Sequence, residues 1–558
     1  MMKYLDLYIK KSILIVGMFF LHTAFAQAPD AYIVTFTDKN NSSYSIDYPE
    51  AFLSERAIAK RIRLNIPITE EDLPINENYI GAIELFEDIT ILAKSKWMNY
   101  IVIQCDNPLL LQILEYLPYV NQVEKIYLVD YSQFDVEFSN PAYNYTIDYQ
   151  SQADTADLSY YGLAAEQIKV HNGQYLHRNG YRGENMLIAM LDNGFNNLDV
   201  MTYFDDLRTE GRLLGTYDAA RQANYNIYRS GDHGTKVLSV MALDEPYDFV
   251  GVAPEADYFL IRTEMDTYED LLEEYFWVVG AEFADSLGAD VINSSLGYSR
   301  FDKSEQNHSF YSLDGKQSVA SIAASKLAQK GCVVAVAAGN EGDKEWHYIS
   351  IPSDAPDALC VAAMNKDSLI ANFSSRGSNS FVYTKPDITA VGWQTAYCTP
   401  ADTLDKGNGT SLATPVITGL CACLWQAFPQ KTSLEIMDAV RRSAHMYNQA
   451  DTLFGYGIPD FKKAYLLLVE SGIEEKNEEF SIHLYPNPAH DNLTIFIDSD
   501  VTVSGKLKIC DVSARVLIEK PLDAFLVHVN LSALTRGLYF IQIQTGKQTL
   551  HSLKFIKL

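Results

Sequence analysis

Gly409-Thr410-Ser411-Leu412-Ala413-Thr414-Pro415 runs straight into Val416, Ile417, Leu420, Cys421, Ala422, Leu424 and Trp425. That run is apolar almost all round, which predicts a helix buried in a core rather than one lying on a surface. Pro415 fits best in the first turn, where its missing N–H costs little. Ser411 then sits at the positive N-terminal end of a buried helix, with its own N–H free to meet an anion. An attacking hydroxyl suits that position. A serine that merely caps a helix gives the same triplet, so the rest of the chain must decide between the two.

At 558 residues the chain is long enough for several domains. Hydrophobic residues make up 47% and charged residues 21%, the balance of a folded protein. A formal net charge of −28 argues against nucleic acid and against an anionic membrane surface as partners. It is compatible with structural calcium, for which acidity alone names no site. Lys10 and Lys11 precede the apolar run Ile13 to Phe20, and Ala24-Phe25-Ala26 forms a small-residue cleavage pattern, so residues 1–26 read as a secretory signal. The seven cysteines are odd in number and have no CxxC spacing, which is neither a zinc site nor a disulfide scaffold; a bridge from Cys398 stays open.

Three patterns follow the signal. Residues 28–138 read as strand, helix, strands, helix, strand, a small α+β domain, with a helix expected over Pro49 to Ile62. Residues 139–157, rich in Asn, Tyr, Ser and Asp, read as a linker and the expected processing region. From 158 to 470, apolar runs such as Met186 to Leu191, Tyr258 to Ile261, Asp290 to Asn293 and Cys332 to Ala338 alternate with helical patterns at Leu271 to Leu287 and Ser318 to Gln329. Continuous apolar runs of that length suit parallel strands buried on both faces. The alternation predicts a doubly wound α/β domain with its site at the carboxyl ends of the strands, where Asp192, Ser295 and Asn340 fall. The charged residues 471–479 form a second linker, and short alternating strands over 480–558 predict a small antiparallel β-sandwich.

A serine hydroxyl needs a base to take its proton, and histidines are scarce, only 11 in the chain. His233 stands out in Asp232-His233-Gly234-Thr235, at the start of a helical pattern. A carboxylate is needed to hold the imidazole's tautomer, and Asp192 ends the first buried strand. Each alone has a bland reading as cap, surface residue or turn former. Together, each with a glycine close by, they point to nucleophilic catalysis.

Leu191-Asp192-Asn193-Gly194, Asp232-His233-Gly234-Thr235, Ser294-Ser295-Leu296-Gly297, Ala338-Gly339-Asn340-Glu341-Gly342 and the opening stretch resemble, in order, the motifs of the subtilisin-like serine proteases. The resemblance implies Ser411 as nucleophile, His233 as general base and then acid, Asp192 as orienting carboxylate and Asn340 as oxyanion donor. It implies that Ser295, Leu296 and Gly297 pair with substrate backbone and wall the primary pocket, with Gly339 and Glu341 beside them. Asn193 departs from the Ser or Thr usual in the family; its side chain is expected to donate to the carboxylate all the same. Glu341 resembles a pocket-rim position where a negative charge widens tolerance for basic side chains, against a mainly apolar preference. The chemistry implied needs no cofactor.

Tyr32-Ile33-Val34, Phe52-Leu53-Ser54-Glu55-Arg56-Ala57 and Ser95-Lys96-Trp97 resemble the inhibitory pro-segments of secreted bacterial subtilases. Leu484-Tyr485-Pro486-Asn487-Pro488-Ala489, Gly537-Leu538-Tyr539 and Lys554-Phe555-Ile556-Lys557-Leu558 resemble a type IX secretion sorting domain of Bacteroidetes, with Ala514 in a turn where glycine is common. The partners implied are protein or peptide substrates, the chain's own pro-segment as inhibitor, and the secretion machinery; the location implied is extracellular or at the outer-membrane surface. The competing reading is a catalytically silent subtilase fold kept for surface binding or adhesion.

Overall fold

The computed structural model describes residues 30–126, 158–221, 226–265 and 269–469, together with the strands and some connections between 476 and 557. The signal 1–26, the linker 139–157, most of 471–479 and the turn around Ala514 lie outside the described residues. The chain divides into two compact units, one reaching to Phe52 and resuming over Ile68–Val129, the other made of Leu53–Pro67 and everything from Asp130.

The first unit is a four-stranded antiparallel sheet whose central strands are Ala31–Phe36 and Tyr100–Gln104. Val34, Ile101 and Ile103 point from these strands into one core with Ile80, Ile83 and Leu114 from the helices Glu77–Glu84 and Pro108–Glu115. The second helix starts with Asn107 as cap and Pro108 in its first turn, and stops before Pro118.

In the second unit, Leu53–Pro67 carries helix α1 (Glu55–Arg63), capped by the Ser54 hydroxyl on the Ala57 N–H at 3.1 Å. The single helix expected over Pro49 to Ile62 is therefore two elements, a 3₁₀ turn at Pro49–Ala51 and then α1. Ser54 is the physical reason: its side chain bonds the new helix's amides, a geometry that a mid-helix residue does not adopt.

Seven parallel strands form the main sheet: β1 (Leu187–Asp192), β2 (Leu213–Asp218), β3 (Asp257–Arg262), β4 (Val291–Ser294), β5 (Val333–Ala337), β6 (Leu359–Met364) and β7 (Ile388–Val391), in the order β7-β6-β5-β4-β1-β3-β2. Every residue of β1, β4, β5, β6 and β7 is buried, as continuous apolar runs require of strands covered on both faces. Helices α2 (His233–Ala242), α3 (Leu272–Leu287), α4 (Val319–Gln329) and α5 (Thr410–Ala427) supply the cover. The first strand of this sheet, β1, lies inside it, and the order runs outward from it in both directions. That reversal between β1 and β4 leaves a crevice beyond their carboxyl ends, which is where ligands meet such sheets.

Two four-stranded antiparallel sheets make up the described part of the C-terminal region. Leu484, Leu493 and Ile495 of one share a core with Leu507, Ile541 and Phe555 of the other, which is the sandwich that the alternation implies. All seven cysteines are buried and unbridged, Cys398 included.

Candidate active site

β1 delivers Asp192 fully buried at its last position. Two residues further on, Gly194 has φ 148°, and a Cβ there would stand 1.9 Å from the Ser230 carbonyl oxygen. The backbones therefore cross only because residue 194 has no side chain. Across that crossing the Gly234 N–H donates to Gly194 O at 3.1 Å, bringing the first turn of α2 over the end of β1.

His233 opens α2, and its Nδ1 donates to Asp192 Oδ1 at 2.8 Å. The carboxylate is 0% exposed and the imidazole 32%, so the bond is shielded at one end and accessible at the other. With Nδ1 holding the proton, Nε2 keeps a lone pair. Burial pulls the imidazole pKa down, but the Asp192 charge and hydrogen bond outweigh it and leave the pKa raised. Asp192 Oδ1 also accepts from the Asn193 N–H at 2.8 Å, while Oδ2 finds no donor among the described residues. The expectation that the Asn193 side chain donates to the carboxylate is corrected here. The donor is the backbone, and the Asn193 side-chain oxygen is buried against Gly231, where a Cβ would come within 2.3 Å of it.

Ser411 is the second residue of α5, and among the described residues its N–H has no acceptor. α5 packs on α2, so that His233 and Ser411 both belong to first turns of neighbouring helices. Thr410 fixes the asparagine: its N–H and its hydroxyl donate to Asn340 Oδ1 at 3.0 and 3.2 Å, and that hydroxyl accepts the Gly339 N–H at 3.2 Å. With Oδ1 occupied in this way, the amide NH₂ of Asn340 is the end left to donate. Gly339 sits at φ 106°, and a Cβ on it would meet the Ser350 hydroxyl at 2.5 Å.

Pro415 is in the second turn of α5, beyond the first turn that the sequence predicts. A proline there cannot donate to the carbonyl four residues back, which is that of Ser411. The Ser295 hydroxyl takes that carbonyl instead, at 2.9 Å, while accepting from Asn293 Nδ2 at 3.1 Å. The chain then leaves β4 through half-buried Leu296 and exposed Gly297. Their N–H groups have no acceptor among the described residues, so this edge is open to another strand. Glu341 is not a free charge: Lys344 Nζ donates to its Oε1 at 2.8 Å. The role of Thr410 was within the quoted motif but unreadable, because it depends on the distant Gly339-Asn340 turn.

Residues 183–457 match the subtilase family, 31–137 the Peptidase S8 propeptide domain of Bacteroidota, and 483–557 a secretion system C-terminal sorting domain. The chain is 30% identical to Subtilisin E of Bacillus subtilis (strain 168) over 288 residues, 51% of this chain and 65% of that protein. It is 29% identical to Subtilisin of Bacillus pumilus, over 54% of this chain and 98% of that one. Serine protease AprX of Bacillus subtilis is 26% identical, with 52% and 66% covered. The chain thus spans just under two thirds of the length of the first of these relatives. Among solved structures, MycP1 with its N-terminal propeptide removed aligns at 20% identity over 54% of this chain and 96% of its own, with a TM-score of 0.42, too loose to support an inference. The sorting domain marks the chain for secretion, to the cell surface or beyond it, and no described helix is long and apolar enough to cross a membrane. The chain thus carries a subtilase-family match over residues 183–457, set between a match to the Bacteroidota propeptide domain and a match to the secretion system C-terminal sorting domain.

Proposed function

We propose that this chain is a secreted serine endopeptidase working through an acyl-enzyme. Ser411 Oγ attacks the scissile carbonyl, and His233 Nε2 takes its proton and later returns it to the leaving amine. Asp192 keeps the imidazole in the Nδ1–H tautomer and stabilises it once it is charged. The Ser411 N–H and the Asn340 amide donate to the oxyanion. The substrate backbone pairs along Ser295, Leu296 and Gly297, with Gly339 and Glu341 at the pocket. Protein groups carry every step of this scheme. The observation that carries the reading is the buried Asp192–His233 hydrogen bond, aimed so that Nε2 is the free nitrogen at the accessible end.

The Glu341–Lys344 pair supports a mainly apolar primary preference, because the rim carboxylate already has its cation. The pro-segment, within residues 28–138, acts as inhibitor until cleavage in 139–157, and the region 480–558 engages the secretion machinery. Asn340→Ala tests the chemistry. We expect turnover on an unfolded protein substrate to fall about 10²–10³-fold with KM nearly unchanged, and Ser411→Ala to cleave nothing. An Asn340→Ala variant altered only in KM would contradict the oxyanion role. Cleavage by Ser411→Ala would contradict the nucleophile assignment, and no cleavage by the unmutated, processed protein would contradict the enzyme reading and leave a binding module as the alternative.

A further inference from the structure

Glu264, Glu269 and Glu273 each bring a carboxylate oxygen within 4.8 Å of the other two. Glu264 is 7% exposed and Glu273 1%, while Glu269 lies at the surface. Glu264 Oε1 is taken by the Tyr298 hydroxyl at 2.6 Å and the Thr263 hydroxyl at 3.3 Å, which leaves Oε2 outside these bonds. Glu273 Oε1 accepts the Met265 N–H at 2.8 Å, and Glu273 Oε2 is buried with no partner among the described residues. Buried carboxylate oxygens are rarely left so. The neighbouring acids contrast with these three: Asp270 has Lys303 at 3.2 Å, and Glu274 has His308 and Ser318. No lysine, arginine or histidine pairs with Glu264, Glu269 or Glu273 among the described residues.

We propose that Glu264, Glu269 and Glu273 form a calcium site. Calcium takes oxygen ligands at about 2.3–2.6 Å, so ligands on opposite sides of it stand about 4.6–5.2 Å apart. A trio within 4.8 Å closes on such an ion with little movement. Magnesium, at about 2.0–2.1 Å, demands a tighter cage. Water completes the shell on the exposed Glu269 side. The ion ties the end of β3 to the start of α3 and, through Tyr298, to the residue that follows Gly297 on the open edge. β3 itself is fastened beside Asp192, whose carbonyl accepts the Thr263 N–H at 3.0 Å.

The test uses the full chain carrying Ser411→Ala, so that autolysis plays no part and the result is independent of the proposed chemistry. After stripping with chelator, calcium is titrated back during thermal unfolding, in this background and in one that adds Glu269→Gln and Glu273→Gln. Calcium at about 100-fold above its Kd is expected to raise Tm by about 5 °C in the parent. The glutamine variant is expected to lose that rise while unfolding, without calcium, no lower than the stripped parent, because the repulsion is gone. No rise in the parent, or an equal rise in the variant, overturns the proposal. A third result also overturns it: no calcium response, but a higher KM in otherwise active Glu269→Gln for substrates with lysine or arginine, which makes the trio a pocket for a basic side chain.

Discussion

A proline at residue 415 and a serine at residue 295 act on the same atom, the carbonyl oxygen of Ser411. Pro415 removes the helix's own donor, and the Ser295 hydroxyl replaces it at 2.9 Å. The segment that begins at Ser295 is thereby pinned to the first turn of α5. Ser295→Ala is expected to leave a buried carbonyl unpaired and to cost about 1–3 kcal/mol in denaturant unfolding. With Pro415→Ala the helix regains an N–H for that oxygen, so the cost of Ser295→Ala should shrink. Equal costs in the two backgrounds would show that the two residues do not share the carbonyl. His233 makes a prediction of its own. A protonated imidazole cannot accept the serine proton, and Asp192 raises the pKa above 6.5, so kcat/KM should fall as pH drops, with its midpoint above 6.5. A midpoint below 6.5 would mean that burial, not Asp192, dominates the imidazole.

At the scale of elements, what was legible is what local physics decides. β5 is apolar along its length and β1 up to its final Asp192 because both faces are covered, and that marks them in sequence. β2 was missed: as the edge strand it is mostly half-exposed, and Leu213–Asp218 carries no such run. Helix α1 shows the opposite failure. Arg61 and Lys60 are charged side chains, yet they are 1% and 3% exposed. Arg61 makes a two-pronged bond to Asp285 of α3 at 2.9 and 2.8 Å, and Lys60 Nζ donates to Ala289 O at 2.7 Å. Arg56 pairs with Asp290 and donates to Gly288 O at 3.2 Å. Nothing within α1 discloses these partners more than 220 residues away. Removing one member of a fully buried pair strands the other charge, so Arg61→Ala should cost about 3–5 kcal/mol in unfolding of the Ser411→Ala precursor. A loss under 1 kcal/mol would mean that water reaches Asp285.

For the whole molecule, the candidate residues were readable because each sits at or near an element's end with a glycine close by, as Gly194 lies by Asp192 and His233. That they fall on adjoining elements was not derivable from spacing. It comes from the strand order, in which β1 lies inside the sheet beside β4, and from α2 and α5 packing together. The most direct test of the account is fluorophosphonate labelling of the secreted, processed protein, read by intact mass and peptide mapping. The account predicts one adduct, on Ser411, absent when Asp192 or His233 is replaced by alanine. An unlabelled Ser411 in folded, processed protein would contradict it.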